Sequence, residues 1–174
     1  MMSYQTLVVV KRSLTVYRQT GFTLLELMIV VAIAGIVMAI GVPSFQSITT
    51  NNRIAANTNE FITALNLARS EAVKRGAAVS VCKSADGATC TTSGDWDQGW
   101  IVIVVGDTDP LRVFESLGGN TTLTSAGNLV TFNALGALSH AAVSFELEVK
   151  SGSITRNSCL TVTVVGRAGK APCS

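Results

Sequence analysis

Gly21-Phe22-Thr23-Leu24-Leu25-Glu26-Leu27 opens an apolar run that continues to Val42. From Phe22 to Val42 the one ionisable side chain is Glu26, set among Leu, Ile, Val, Met, Ala and Gly. A helix needs about 20 apolar residues to cross a bilayer core, and this run is just long enough. A carboxylate in hydrocarbon costs up to roughly 2.5–3.5 kcal/mol on insertion scales, and less near a helix end. Glu26 is therefore a functional candidate that calls for a partner. Upstream stand Lys11, Arg12 and Arg18 with no acid among them, and Gly21 directly precedes the run. A cut between Gly21 and Phe22 would create a new α-amine close to Glu26.

Downstream of Val42 the helical pattern continues. Ala55, Thr58, Ile62, Leu65, Ala68 and Ala72 recur at steps of three and four, with Ile54 and Phe61 beside them. Arg53, Glu60, Arg69, Glu71 and Lys74 fall largely away from that stripe. A helix from Phe22 to Arg75 would be on the order of 80 Å long. Its first half is apolar all round and its second amphipathic, the pattern of a stalk packed into a head. Pro43, with Gly35 and Gly41 upstream, is expected to kink or loosen it, and Gly76 to stop it.

From Ala77 the period changes. Val79 and Val81 alternate with Ser80 and Cys82, and Trp100–Val105 is a continuous run suited to a buried strand. Leu111–Glu115 and Asn128–Phe132 are shorter candidates. Val143, Phe145, Leu147 and Val149 alternate with polar residues, as do Leu160, Val162 and Val164. Turns fall at Asp86-Gly87, Gly106–Pro110, Gly118-Gly119-Asn120 and Ser151-Gly152. The expected class is α+β: a long N-terminal helix carrying a C-terminal antiparallel β head, sheet or sandwich. Four segments follow, at 1–21, 22–42, 43–76 and 77–174.

The chain has 174 residues and a formal charge of +2, with positive mean hydropathy. Removing the leader and the membrane run leaves roughly 110–130 residues, one compact domain and not two. Three of the thirteen Lys/Arg lie in the leader, so ten remain against eleven Asp/Glu. The basic balance is thus a leader effect, and a poor argument for a nucleic-acid partner. Four cysteines behind an export signal read as disulfides in an oxidising compartment. Sequence alone allows three pairings; short spacing favours Cys82 with Cys90 and Cys159 with Cys173.

The stretch Gly21-Phe22-Thr23-Leu24-Leu25-Glu26-Leu27-Met28-Ile29-Val30-Val31-Ala32-Ile33 resembles the class III signal of type IV pilins and type II secretion pseudopilins. That resemblance implies a prepilin peptidase that cuts after Gly21 and methylates the amine of Phe22. It implies a role in filament assembly for Glu26, and a bacterial inner-membrane, single-pass protein with its head in the periplasm before entry into a filament. Its partners would be other pilins, the peptidase, the assembly platform and, before assembly, membrane lipid. Arg69-Ser70-Glu71-Ala72-Val73-Lys74-Arg75-Gly76, Cys82, Asp86-Gly87, Asp95-Trp96, Gly99-Trp100, and Cys159 to Gly166-Arg167 and Cys173 resemble the H-type pseudopilins and the FimT/FimU minor pilins. Other readings of the run are an ordinary signal peptide cut after Ala34, which would fall inside it, and a plain signal anchor. The anchor leaves Glu26 and the Gly-Phe junction unexplained.

Catalytic chemistry has little to stand on. His140 has no acid or nucleophile beside it in sequence and reads as a surface or turn histidine. No HExxH, CxxC, GxSxG or P-loop occurs, and Asp107-Thr108-Asp109 reads as a turn rather than a metal site. No cofactor is called for, and the chain reads as an enzyme's substrate, not an enzyme. Trp96 and Trp100 are expected to cap the edge of the head's core rather than form a binding platform. The alternative function is DNA binding in uptake, since some FimT-like pilins carry a Gly-Arg-x-Arg pattern near the C-terminus. Here Arg167 matches but Gly169 replaces the second Arg, which leaves Lys170, with Lys83 or Arg156 as further bases.

Overall fold

Leu24–Arg75 forms a single α-helix, α1, in the computed structural model, which describes residues 21–173. The leader bases Lys11, Arg12 and Arg18 lie outside the described residues. The chain divides into two compact units between Ile40 and Gly41. In the first, the helix from Leu24 onward exposes Leu25, Met28, Val31, Ile36 and Ile40, among others. Length and composition make this helix able to cross a membrane. The helix is continuous through Pro43, whose missing N–H leaves the Ala39 carbonyl without its usual partner just where the division falls.

Within the second unit α1 buries Thr50, Thr58, Phe61, Ala64, Leu65, Ala68 and Ala72. Phe61, beside the stripe in the sequence, is at its centre. Gly76 ends the helix with φ +63, and the Ala77 N–H returns to the Ala72 carbonyl.

Eight strands follow: β1 Val79–Lys83, β2 Trp100–Val104, β3 Arg112–Phe114, β4 Thr121–Ser125, β5 Leu129–Phe132, β6 Val143–Ser151, β7 Ile154–Val162 and β8 Ala168–Ala171. They make two antiparallel four-stranded sheets, ordered β3-β2-β1-β5 and β4-β6-β7-β8. β1 lies between two neighbours and is buried along its whole length, including Ser80, whose hydroxyl bonds Thr131 Oγ1 across the β1–β5 pair at 2.8 Å. The inner face of β6 supplies Phe145, Leu147 and Val149, and that of β7 Leu160 and Val162.

The two tryptophans depart from expectation. Neither caps an edge: both are fully buried at the meeting of helix and sheets. Phe61 meets Trp96 at 5.4 Å, Trp100 at 5.1 Å and Phe145 at 4.7 Å between ring centroids, all edge-to-face. Trp100 also stacks on Phe114 at 5.5 Å. The Trp96 indole donates to the Gly127 carbonyl at 2.9 Å, which satisfies its polar end inside the core. β4, β8 and the first half of β7 were not legible as strands. β4 carries one large apolar side chain, Leu123, and β8 none.

Candidate assembly motif and the head that carries it

Phe22 and Thr23 precede the first helical residue, and Thr23 is the helix cap. Its hydroxyl accepts the Glu26 N–H at 3.2 Å, and its carbonyl accepts the Leu27 N–H at 3.1 Å. Thr-x-x-Glu is the capping-box spacing, a signal available in the sequence and not drawn from it above. In a full box the Glu side chain would return to the cap's own N–H. Among the described residues no such bond to the Glu26 carboxylate is seen. Glu26 is thus an acid in the helix's first turn, where the helix dipole favours a negative charge. Gly21 and Phe22 are exposed, Phe22 at 82%. The residues at the Gly21–Phe22 junction and Glu26 lie within two helical turns of one another.

At the other end of α1 the Arg69-to-Gly76 stretch has a structural task. Arg69 Nε donates to the Gly136 carbonyl at 2.9 Å and its terminal nitrogen to the Val165 carbonyl at 3.2 Å. One side chain thereby pins two turns, Asn133–Gly136 after β5 and Thr163–Gly166 after β7, to the helix. Both glycines are required there. Gly166 has φ +80, and a Cβ on it would collide with the Gly136 carbonyl; Gly136 has φ +75.

Disulfides join Cys82 to Cys90 and Cys159 to Cys173. The first closes the loop after β1, in which Asp86 accepts from the Thr89 N–H at 2.8 Å and hydroxyl at 2.7 Å, the Ala88 N–H at 2.9 Å and the Ser84 hydroxyl at 2.9 Å. Those donors, Thr89 foremost, hold the Asp86 carboxyl well below the usual carboxylate range. The second disulfide ties β7 to the segment following β8.

The bases considered for DNA do not converge. Arg167 and Lys170 are exposed and line one shallow groove with Thr161 and Thr163. Lys83 is buried, its ammonium on the Gly94 carbonyl at 2.6 Å, so it is a loop clasp and not a surface cation. Arg156 bonds Asn51 Oδ1 at 3.0 Å near the start of β7. Arg167 follows the end of that strand, which at 3.3 Å per residue puts the two roughly 20 Å or more apart. His140 Nε2 accepts the Thr131 N–H at 3.1 Å while Nδ1 faces the Ala141 carbonyl at 2.9 Å, so backbone groups hold the ring at both nitrogens. Asp107 and Asp109 lie in the β2–β3 turn, and among the described residues no cluster of three or more metal-ligating side chains occurs.

Comparison with known proteins matches this architecture. Residues 17–42 match the prokaryotic N-terminal methylation motif, and residues 57–166 match the family described as type II transport protein GspH. Two fimbrial proteins of Pseudomonas aeruginosa are each 45% identical over 58 residues, 33% of this chain and 37% of the relative. The chain therefore spans little more than a third of the length of these curated relatives. A crystal structure of the type IV minor pilin FimU of Pseudomonas aeruginosa gives a TM-score of 0.57 at 24% identity, over 72% of this chain and 92% of that one. A second crystal form gives 0.52 at 25%, over 68% and 92%. One long N-terminal helix, a methylation motif at its start and two antiparallel sheets behind it define a type IV pilin-like protein. The GspH match spans more than half of the chain, and the chain belongs to that family.

Proposed function

We propose that this minor pilin-like protein is a structural subunit of a type IV pilus or a type II secretion pseudopilus, made competent by proteolysis between Gly21 and Phe22. The observation that carries the reading is the coincidence of three features at one point: the methylation motif, the start of α1, and an apolar surface with no cover in the described chain. Prepilin peptidase removes the leader and methylates the Phe22 amine. The chain waits in the inner membrane as a single-pass protein with its head on the periplasmic side. At the assembly platform it joins other pilins through the apolar half of α1. No step asks this chain for catalysis or a cofactor.

Glu26 supplies register. The carboxylate and a nearby Phe22 amine, from its own chain or a neighbour's, attract far more in a poorly solvated site than in water. Desolvation offsets much of that attraction, so apolar packing drives association and the ion pair selects the alignment. Glu26→Ala is expected to be cut, methylated and inserted normally and yet to be lost from sheared fibres; incorporation at the wild-type level would overturn the role. DNA binding is the weaker reading, because the exposed bases of the C-terminal region do not gather: Arg167 and Lys170 share one groove, and Arg156 stands apart on Asn51.

A further inference from the structure

Between Leu27 and Asn59 the chain carries no acid and a single base, Arg53. Val42, Phe45 and Ile48, on the stretch of α1 just after Gly41, are 53–69% exposed, and Thr50 is the first residue of the helix to be buried. Arg53 is exposed and donates through Nη1 to the Gly119 carbonyl at 2.8 Å. Arg156, also exposed, donates through Nε to Asn51 Oδ1 at 3.0 Å and through Nη1 to the Thr155 carbonyl at 3.3 Å. Both guanidinium groups thus stand at the first turn of α1 that the head covers, held by neutral oxygens. Among the described residues neither takes part in an ion pair.

Sheet register brings the second arginine there. Arg156 lies opposite Val149, on the face of β6 and β7 that packs toward α1, while Glu146 and Glu148 alternate to the outer face. The hairpin runs on past Arg156 to the Ser151-Gly152 turn, where a Cβ on Gly152 would lie 3.7 Å from Gln46 Oε1. That turn carries no charge. On the outer face Lys150 is paired with Glu148 at 2.6 Å, and Glu146 accepts the Asn157 amide at 3.0 Å. Glu60, the next acid along α1, is about two helical turns beyond Arg53. The part of the head nearest Gly41 therefore exposes apolar side chains, then a neutral turn, then two guanidinium groups.

We infer that before assembly this part of the head rests on the membrane surface, with Arg53 and Arg156 facing the anionic phosphodiester headgroups of the periplasmic leaflet. The inference rests on the reading above of the apolar run as a membrane span with a periplasmic head. Val42 ends that run, so the residues that follow it must pass through the headgroup layer. The layer is roughly 5–8 Å thick on each side. Asn51 stands about 14 Å along the helix from Val42. Surface charge is felt over a further ~8 Å at physiological ionic strength. Both guanidinium groups therefore lie within the field of the headgroups, and Phe45 and Ile48 fill the layer between. Helical side chains lean toward the N-terminus, which turns Arg53 back toward the bilayer. A planar guanidinium also matches a phosphate with paired N–H donors and is less strongly hydrated than an ammonium. The contact holds the head down on anionic lipid and is given up when the subunit leaves for the fibre.

The test uses the full chain, reconstituted in vesicles of phosphatidylcholine and in vesicles of an equal mixture of phosphatidylcholine and phosphatidylglycerol. Arginines are modified briefly with phenylglyoxal, and the extent at each is read by peptide mass spectrometry. Arg53 and Arg156 are expected to react several-fold more slowly in the mixed vesicles. Arg112 and Arg167, exposed elsewhere on the head, are expected to react alike in both. Added salt should remove the difference. Equal reaction of Arg53 and Arg156 in the two kinds of vesicle overturns the headgroup contact; if both are slow, another subunit is the cover. Slowing of all four arginines alike in the mixed vesicles overturns it too. These outcomes leave the membrane reading standing, whereas a chain that alkaline carbonate washes from both kinds of vesicle overturns both.

Discussion

At Phe61, on α1, three aromatic side chains converge on one ring from three other elements, the Trp96–Gln98 3-10 turn, β2 and β6. Its removal takes away the contact that joins helix to both sheets, and the flanking rings are too rigid to close the gap. Phe61→Ala is expected to cost about 3–5 kcal/mol, read by chemical denaturation of the full chain in detergent. The sequence pointed to Thr58 and Leu65 as readily as to Phe61, because periodicity finds a face and not its centre. The same limit explains Trp96 and Trp100. Their neighbours Asp95, Asp97 and Gly99 suggest an exposed loop, and only the folded chain turns both indoles inward. Asp86 shows a second residue-scale effect. Its pKa is depressed in the folded state, so its contribution to the loop is present above the ordinary carboxylate range and lost as pH falls through the lower, folded value. The Cys82–Cys90 loop of the wild type is expected to keep its amide protection down to strongly acidic pH, and Asp86→Asn to have weaker protection at neutral pH, both read by hydrogen exchange.

At the scale of elements, α1 and β6 were plain in the sequence and β8 was not. The apolar run and its amphipathic continuation set the helix by period alone, and Val143 to Val149 alternate without a break. Ala168–Ala171 has little to bury, Ala168 alone packing against the core. It is a strand because β7 offers it an edge and because Cys173 is fastened to Cys159. That edge strand should depend on its staple. Replacing Cys159 and Cys173 together by serine is expected to cost about 2–4 kcal/mol. The melting temperature should fall by on the order of 10 °C, with the loss of amide protection confined first to β8 and its partner β7. Uniform loss across both sheets would contradict that assignment.

For the whole molecule, the N-terminal methylation motif is more legible in the sequence than the head. Gly21, Phe22 and Glu26 stand out because a membrane tolerates few polar groups, so each exception is visible without a structure. The head's outer surfaces have no such rule, and exposed apolar residues such as Val105 and Leu135 look no different in the sequence from buried ones. The account as a whole requires the chain in a fibre to begin at Phe22. Intact-mass measurement of protein recovered from native fibres tests this most directly. The predicted chain starts at Phe22, with a net gain of one CH2 from N-methylation and a loss of four hydrogens to two disulfides, whereas fibre-borne protein that retains residues 1–21 would contradict it.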